Sequence, residues 1–322
     1  MDLLKNADKS KSVYVLFGES FLVKMCEKKL LNMYAGQGGA DIFREHTPVG
    51  EIIDCSDTVS FFSEQRVIVV RNSGLFSSGK KEDSKIIEDY IKSSVCKNIL
   101  IFSEKEADKR LSVSKTAAKY ANFLEFSAPK ESELISWIKS VLKKEKIDIG
   151  SAEAAIIVRY SGGNMEKIYT ETEKLASYCS KRVTAADIDA VCVKAVEAKI
   201  FALTAAIGNR SIKNAFDEFY SLIFARESAI MILGMIARQF RMILICSSLE
   251  RSGAQFAEIV SRTGLKEFIV RECIRQSANF SEQELISAIN DCLETDAAIK
   301  TGKLKDILAV ELLIVKYGKN SF

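Results

Sequence analysis

Few residues in this chain have the types and spacing that chemistry needs. The single histidine, His46, and eight cysteines at positions 26, 55, 96, 179, 192, 246, 273 and 292 offer little to a metal. No two cysteines are spaced as CxxC, so a Cys/His zinc site lacks ligands. Most of the cysteines lie beside Ile, Leu and Val and read as small buried thiols of a reducing compartment. One turn follows an apolar run in the manner of a phosphate loop: Gly18-Glu19-Ser20-Phe21-Leu22-Val23-Lys24-Met25. Such a loop requires GxxxxGK[ST]. Its glycines let backbone N–H groups approach phosphate, its lysine neutralises charge and its hydroxyl binds magnesium. Here the second glycine and the Lys-Ser/Thr pair are missing, and Glu19 puts a carboxylate where phosphate charge would sit. Lys24 reads as a surface lysine on an amphipathic helix rather than a displaced phosphate ligand. No nucleophile–base pair stands out, so the expectation is no catalytic residue, no metal and no cofactor.

The elements that must position this turn alternate in type. Val13-Tyr14-Val15-Leu16-Phe17 is a short β-rich run ending at Gly18, and Ser20 to Tyr34 has helical spacing. Further apolar runs occur at Arg66 to Arg71, Asn98 to Ser103 and Phe123 to Phe126. Continuous rather than alternating apolar runs suit strands covered on both faces. With helices between them they predict βα units and a parallel sheet.

The character changes at Pro129. From Glu131 onward no convincing strand is present. Helices are predicted over Glu131 to Lys146, Ser151 to Tyr160, Asn164 to Ser180 and Thr184 to Val193. Thr184 with Asp187 resembles a capping box, and Ser281 with Glu284 is a good helix start. Seven more helical patterns run from Glu197 to Tyr317, including Ser228 to Leu249 and Ser281 to Lys300. The division is therefore 1–128, 129–194 and 195–322.

Across 322 residues, 48% are hydrophobic and 28% charged, the balance of a globular protein. The net charge of +3 is too small to imply nucleic acid by itself. The longest apolar stretch, Ile230 to Ile245, is broken by Arg238, Gln239 and Arg241 and reads as too short for a membrane span. Met1-Asp2-Leu3-Leu4-Lys5 has no signal-peptide character, so a cytoplasmic location without membrane contact is expected.

A parallel-sheet domain, a small helical lid and an all-helical third domain form the layout of clamp-loader AAA+ proteins. Specific stretches match in order: Tyr14 to Glu19, Phe62 to Arg71, Ala107-Asp108-Lys109-Arg110, Gly163-Asn164-Met165 with Glu173-Lys174-Leu175, Ile236 to Arg241, and Asp296 with Ile299-Lys300-Thr301-Gly302. On these residues the chain resembles the delta subunits of bacterial DNA polymerase III clamp loaders over nearly its full length. The resemblance implies an α/β plus all-α fold class: a degenerate AAA+ parallel-sheet domain, a helical lid domain and a C-terminal helical collar. Against that pattern two more ATPase elements are missing. Val67 to Val70 runs into Arg71-Asn72 instead of an acidic pair, leaving magnesium without a ligand and water without a base. The lid arginine is replaced by Met165 or Glu166, counted from Gly162 or Gly163. The zinc-binding cysteine cluster and Ser-Arg-Cys motif of the other loader subunits are likewise not found.

The resemblance further implies a subunit of the DNA polymerase III holoenzyme that opens the sliding clamp (the beta subunit) without its own ATPase. The clamp contact falls on Phe61 and Phe62, adjacent aromatics that one regular helix face cannot both bury. The implied partners are the clamp, ATPase and delta-prime-like loader subunits, and primed DNA through the assembled complex. Lys109, Arg110, Arg238, Arg241 and Lys300 are candidate contacts to DNA or a neighbouring subunit, with a plain solvated face as the competing reading. The alternative function is an active AAA+ ATPase subunit or a related DNA-binding AAA+ protein.

Overall fold

Valine, isoleucine and leucine dominate the apolar runs, and these runs are the strands. The computed structural model describes residues 4–5, 7–35, 39–58, 66–93 and 98–318. The chain divides into two compact units, one reaching to Pro129 and one beginning at Lys130.

In the first unit the order is β1 (Val13–Gly18), α1 (Ser20–Tyr34), β2 (Ala40–Phe43), α2 (Val49–Asp57), β3 (Val67–Arg71), α3 (Lys81–Ser93), β4 (Ile99–Glu104), α4 (Ser112–Tyr120) and β5 (Asn122–Phe126). The strands form one parallel sheet in the order β2-β3-β4-β1-β5. Alternate residues of each strand feed two separate cores. Val13, Val15, Ile68, Val70, Leu100 and Phe102 pack on α2, α3 and α4 through Ile52, Ile87, Ile91, Val113 and Ala117. Tyr14, Leu16, Val67, Val69, Ile99 and Ile101 pack under α1 through Val23, Cys26 and Leu30. Both faces are covered, which is why the runs are continuously apolar. Strand β2 has no counterpart among the runs read from sequence. It is an edge strand of only four residues with little burial, so its composition carries a weak signal.

The second unit contains α5 (Glu131–Lys144), β6 (Asp148–Ile149), α6 (Ser151–Tyr160), α7 (Met165–Tyr178), β7 (Arg182–Val183) and α8 (Ala185–Val191). It continues with α9 (Val196–Gly208), α10 (Ile212–Phe224), α11 (Ala229–Arg251), α12 (Phe256–Thr263), α13 (Glu267–Ser277), α14 (Glu282–Lys300) and α15 (Asp306–Gly318). The expectation of no strand beyond Glu131 is corrected by β6 and β7, which pair in parallel through Asp148–Arg182 and Ile149–Val183. Two-residue strands leave no periodicity to read. The predicted capping boxes are formed: Thr184 and Ser281 each accept from the third residue of their helix, whose carboxylate accepts in return.

The expectation that no stretch reaches membrane-spanning length is also corrected. Helix α11 has the length and composition to cross a bilayer. It is the central helix of this unit's core instead. Ile232, Leu233, Ile236, Phe240, Ile243 and Cys246 pack with residues of α9, α10, α13, α14 and α15. Arg238 and Arg241 lie on its exposed side.

Candidate functional site

The β1–α1 turn is closed on itself. Gly18 takes φ +111°, a backbone conformation that suits glycine. The next amide, Glu19 N–H, donates to the Phe126 carbonyl at 2.6 Å, tying the turn to the end of β5. Glu19 is the N-cap of α1, and its carboxylate accepts from the Leu22 amide at 2.9 Å. A helix N-terminus of this kind favours an anion through its unpaired amides and dipole. Here the protein supplies that anion. Ser20 opens α1, and Lys24 is exposed one turn further on.

Beside this turn the carboxyl ends of β3 and β4 border a cleft of about 530 Å³. Ser20, Lys24, Lys28, Arg71, Asn72 and Lys105 are among its lining residues. Buried Glu27 reaches into it from α1. Its Oε1 accepts from Arg71 Nη2 at 2.6 Å and from Arg71 Nε at 3.1 Å. Its Oε2 accepts from Ser103 Oγ at 2.6 Å. Asn72 follows with φ +53°. The other carboxylate at this edge, Glu104, is consumed by the turn after β3. It accepts from the Ser73 amide at 2.9 Å, the Ser73 hydroxyl at 2.5 Å and the Gly74 amide at 3.1 Å. Burial pushes its carboxyl above the ordinary value, while the Ser73 and Gly74 donors act in the opposite sense.

Among the described residues no group of three or more His, Cys, Asp or Glu could hold a metal. Burial pushes the Cys26, Cys192 and Cys292 thiols up to about 12, so they stay protonated and unreactive at neutral pH.

The remaining predicted residues are dispersed. Lys109 pairs with Glu125 at 2.5 Å. Arg110 pairs with Asp108 at 2.8 Å and holds that carboxyl down at about 2. Lys300 pairs with Asp296 one turn back on α14, at 2.7 Å. Exposed pairs of this kind contribute little stability and orient the cations locally. Arg238 and Arg241 make no ion pair among the described residues. Phe61 and Phe62 lie outside the described residues.

Sequence reasoning missed the Glu27–Arg71 pair and a second cleft, of about 450 Å³, between α3 and α4. Lys80, Lys81, Lys85, Lys92, Ser78 and Ser112 are among its lining residues. The run Ser77-Ser78-Gly79-Lys80-Lys81 before α3 was the available signal for the second cleft.

Two family models match this chain. One describes the delta subunit of DNA polymerase III and matches residues 14–127. The other describes the C-terminal domain of the DNA polymerase III delta subunit and matches residues 197–317. The DNA polymerase III subunit delta of Bacillus subtilis (strain 168) is 27% identical over 325 residues, covering 96% of this chain and 93% of the relative. The solved structure of the Bacillus subtilis DNA clamp loader delta protein superposes with a TM-score of 0.71 at 25% identity, covering 96% of each chain.

Proposed function

This chain belongs to the DNA polymerase III delta-subunit family, and from that premise we propose that it binds and opens the sliding clamp for loading onto primed DNA, without an ATPase of its own. Its role is that of a clamp-loader subunit in replication. The observation that carries the proposal is the β1–α1 turn, where the Glu19 carboxylate caps the Leu22 amide at the helix start and stands in the place of phosphate. A working ATPase subunit is not favoured, because phosphate would have to displace a carboxylate already bonded there.

Opening a ring then rests on binding alone. A ligand shifts a two-state equilibrium only by its differential affinity for the two states. Phe61 and Phe62 are the residues we assign to the clamp, as an aromatic anchor that favours the open interface. We divide the chain beyond the α/β domain into a lid, 129–194, and a collar, 195–322, through which ATPase and delta-prime-like subunits join. The aliphatic face of α15 supports the collar assignment, since Leu308 and Leu312 are 46% and 52% exposed.

The test is the double variant Phe61→Ala/Phe62→Ala. Truncating two anchor aromatics costs roughly 2 kcal/mol or more each, which weakens clamp binding by about three decades. The melting temperature should not move. Buried phenylalanines would instead cost about 3–5 kcal/mol of stability on truncation. Unchanged clamp affinity and unchanged melting would place the contact elsewhere.

A further inference from the structure

Open parallel sheets take ligands at the carboxyl ends of their strands. The cleft there has the volume for a small ligand, about 530 Å³, and four cations line it: Lys24, Lys28, Arg71 and Lys105. Two carboxylates, Glu27 and Glu104, line it as well, and Glu104 is held by Ser73 and Gly74, so the cations are in excess and the concave site concentrates anions. Glu27 counters that field from inside. It is 6% exposed, and both its carboxylate oxygens are engaged. Arg71 and Ser103 stand opposite each other in the register of β3 and β4, so the sheet itself aims a guanidinium fork and a hydroxyl at one point. A fork of this geometry is complementary to phosphate as well as to carboxylate.

We propose that Glu27 is a specificity-determining residue: the resident anion of this cleft, which occupies the Arg71–Ser103 donor set and so excludes phosphate-bearing ligands. Glu19 does the same for the Leu22 amide in the first turn of α1. Between them the two carboxylates occupy the Leu22 amide, the Arg71 guanidinium and the Ser103 hydroxyl, three donors suited to phosphate. The inference rests on the nucleotide-free reading of the first unit and makes no use of Phe61 or Phe62, so it and the clamp assignment can fail separately.

The experiment is thermal melting of the full chain with and without millimolar inorganic pyrophosphate. The wild type should show no change. Glu27→Gln keeps the side-chain size but leaves Arg71 uncompensated. It should melt lower on its own, and pyrophosphate should raise its melting temperature by several degrees through linkage. Arg71→Met should also melt lower but gain nothing from pyrophosphate, since the donor fork is gone. A purely structural ion pair predicts loss in both variants and gain in neither. Should Glu27→Gln not fold, Glu27→Asp, which withdraws the carboxylate by one methylene, should show a smaller rise of the same sign. The proposal is overturned if pyrophosphate stabilises the wild type. It is equally overturned if neither Glu27 variant gains, or if Arg71→Met gains as much as they do.

Discussion

A Cβ placed on Gly18 would lie 2.2 Å from the carbonyl oxygen of Phe126. That oxygen also accepts the Glu19 amide, so it has no freedom to retreat. Gly18→Ala therefore combines a backbone clash with a side chain forced to φ +111°. The expected cost is about 3 kcal/mol or more, and the drop in melting temperature roughly 10 °C. Circular-dichroism melting of the variant checks this. A change of a degree or less would mean that the turn relaxes easily.

Glu104 gives a pH dependence of defined sign. Burial holds its carboxyl above the ordinary value in the folded protein. The native state then binds the proton more tightly than the unfolded chain does, and stability falls with rising pH. The contribution is fully present below the unfolded value of about 4.3 and is lost as pH rises through the folded one. Glu104→Gln should flatten this part of the stability profile, read by urea unfolding at a series of pH values from acid to neutral. A variant profile as steep as the wild type would locate the dependence in another group.

A buried amide network holds α9, α11 and α13 together. Gln276 Oε1 accepts from Gln239 Nε2 and from Thr204 Oγ1, each at 3.2 Å, while Gln276 Nε2 donates to the Phe201 carbonyl at 3.0 Å. Gln276→Leu leaves the buried Gln239 amide without its oxygen acceptor, while the Thr204 hydroxyl keeps the Ile200 carbonyl, and should cost about 2 kcal/mol. Adding Gln239→Leu removes one stranded amide and should recover part of the loss. A double-mutant cycle in chemical denaturation measures the coupling, and strictly additive losses would argue against a network.

Much of this fold is legible along the chain because it is written locally. The four long apolar runs are strands, and Ser281 with Glu284 announces the start of α14. Strand β2 and the β6–β7 pair escape because two to four residues carry no period and their pairing is set by tertiary contact. The site divides in the same way. The missing Lys-Ser/Thr pair and Glu19 in the turn are local facts. The Glu27–Arg71 pair joins residues 44 positions apart, and its third member, Ser103, is brought in by the β3–β4 register. No spacing rule within one segment reports it. Phe61 and Phe62 stand as a sequence reading only, beyond the described residues.

The last prediction concerns the outer face of the second unit. Leu308 and Leu312 project from α15, and Leu293 on the neighbouring α14 is 69% exposed. Between the two leucines, Glu311 accepts a hydrogen bond from the Tyr220 hydroxyl, which fixes α15 against α10 from the flank. Solvated aliphatics on helices so fixed offer a rigid surface at low ordering cost. Leu308→Glu/Leu312→Glu places two charges on that surface. Substitutions at exposed positions usually change stability by less than about 0.5 kcal/mol, so the melting temperature should hold. If the face meets another loader subunit, burying two uncompensated carboxylates should abolish assembly with the ATPase subunits in gel filtration. Binding to the isolated clamp should survive, because that contact is assigned to Phe61 and Phe62. Normal assembly by a normally melting double variant would remove α15 from the interface. Loss of clamp binding with assembly intact would contradict the division of labour between the two units.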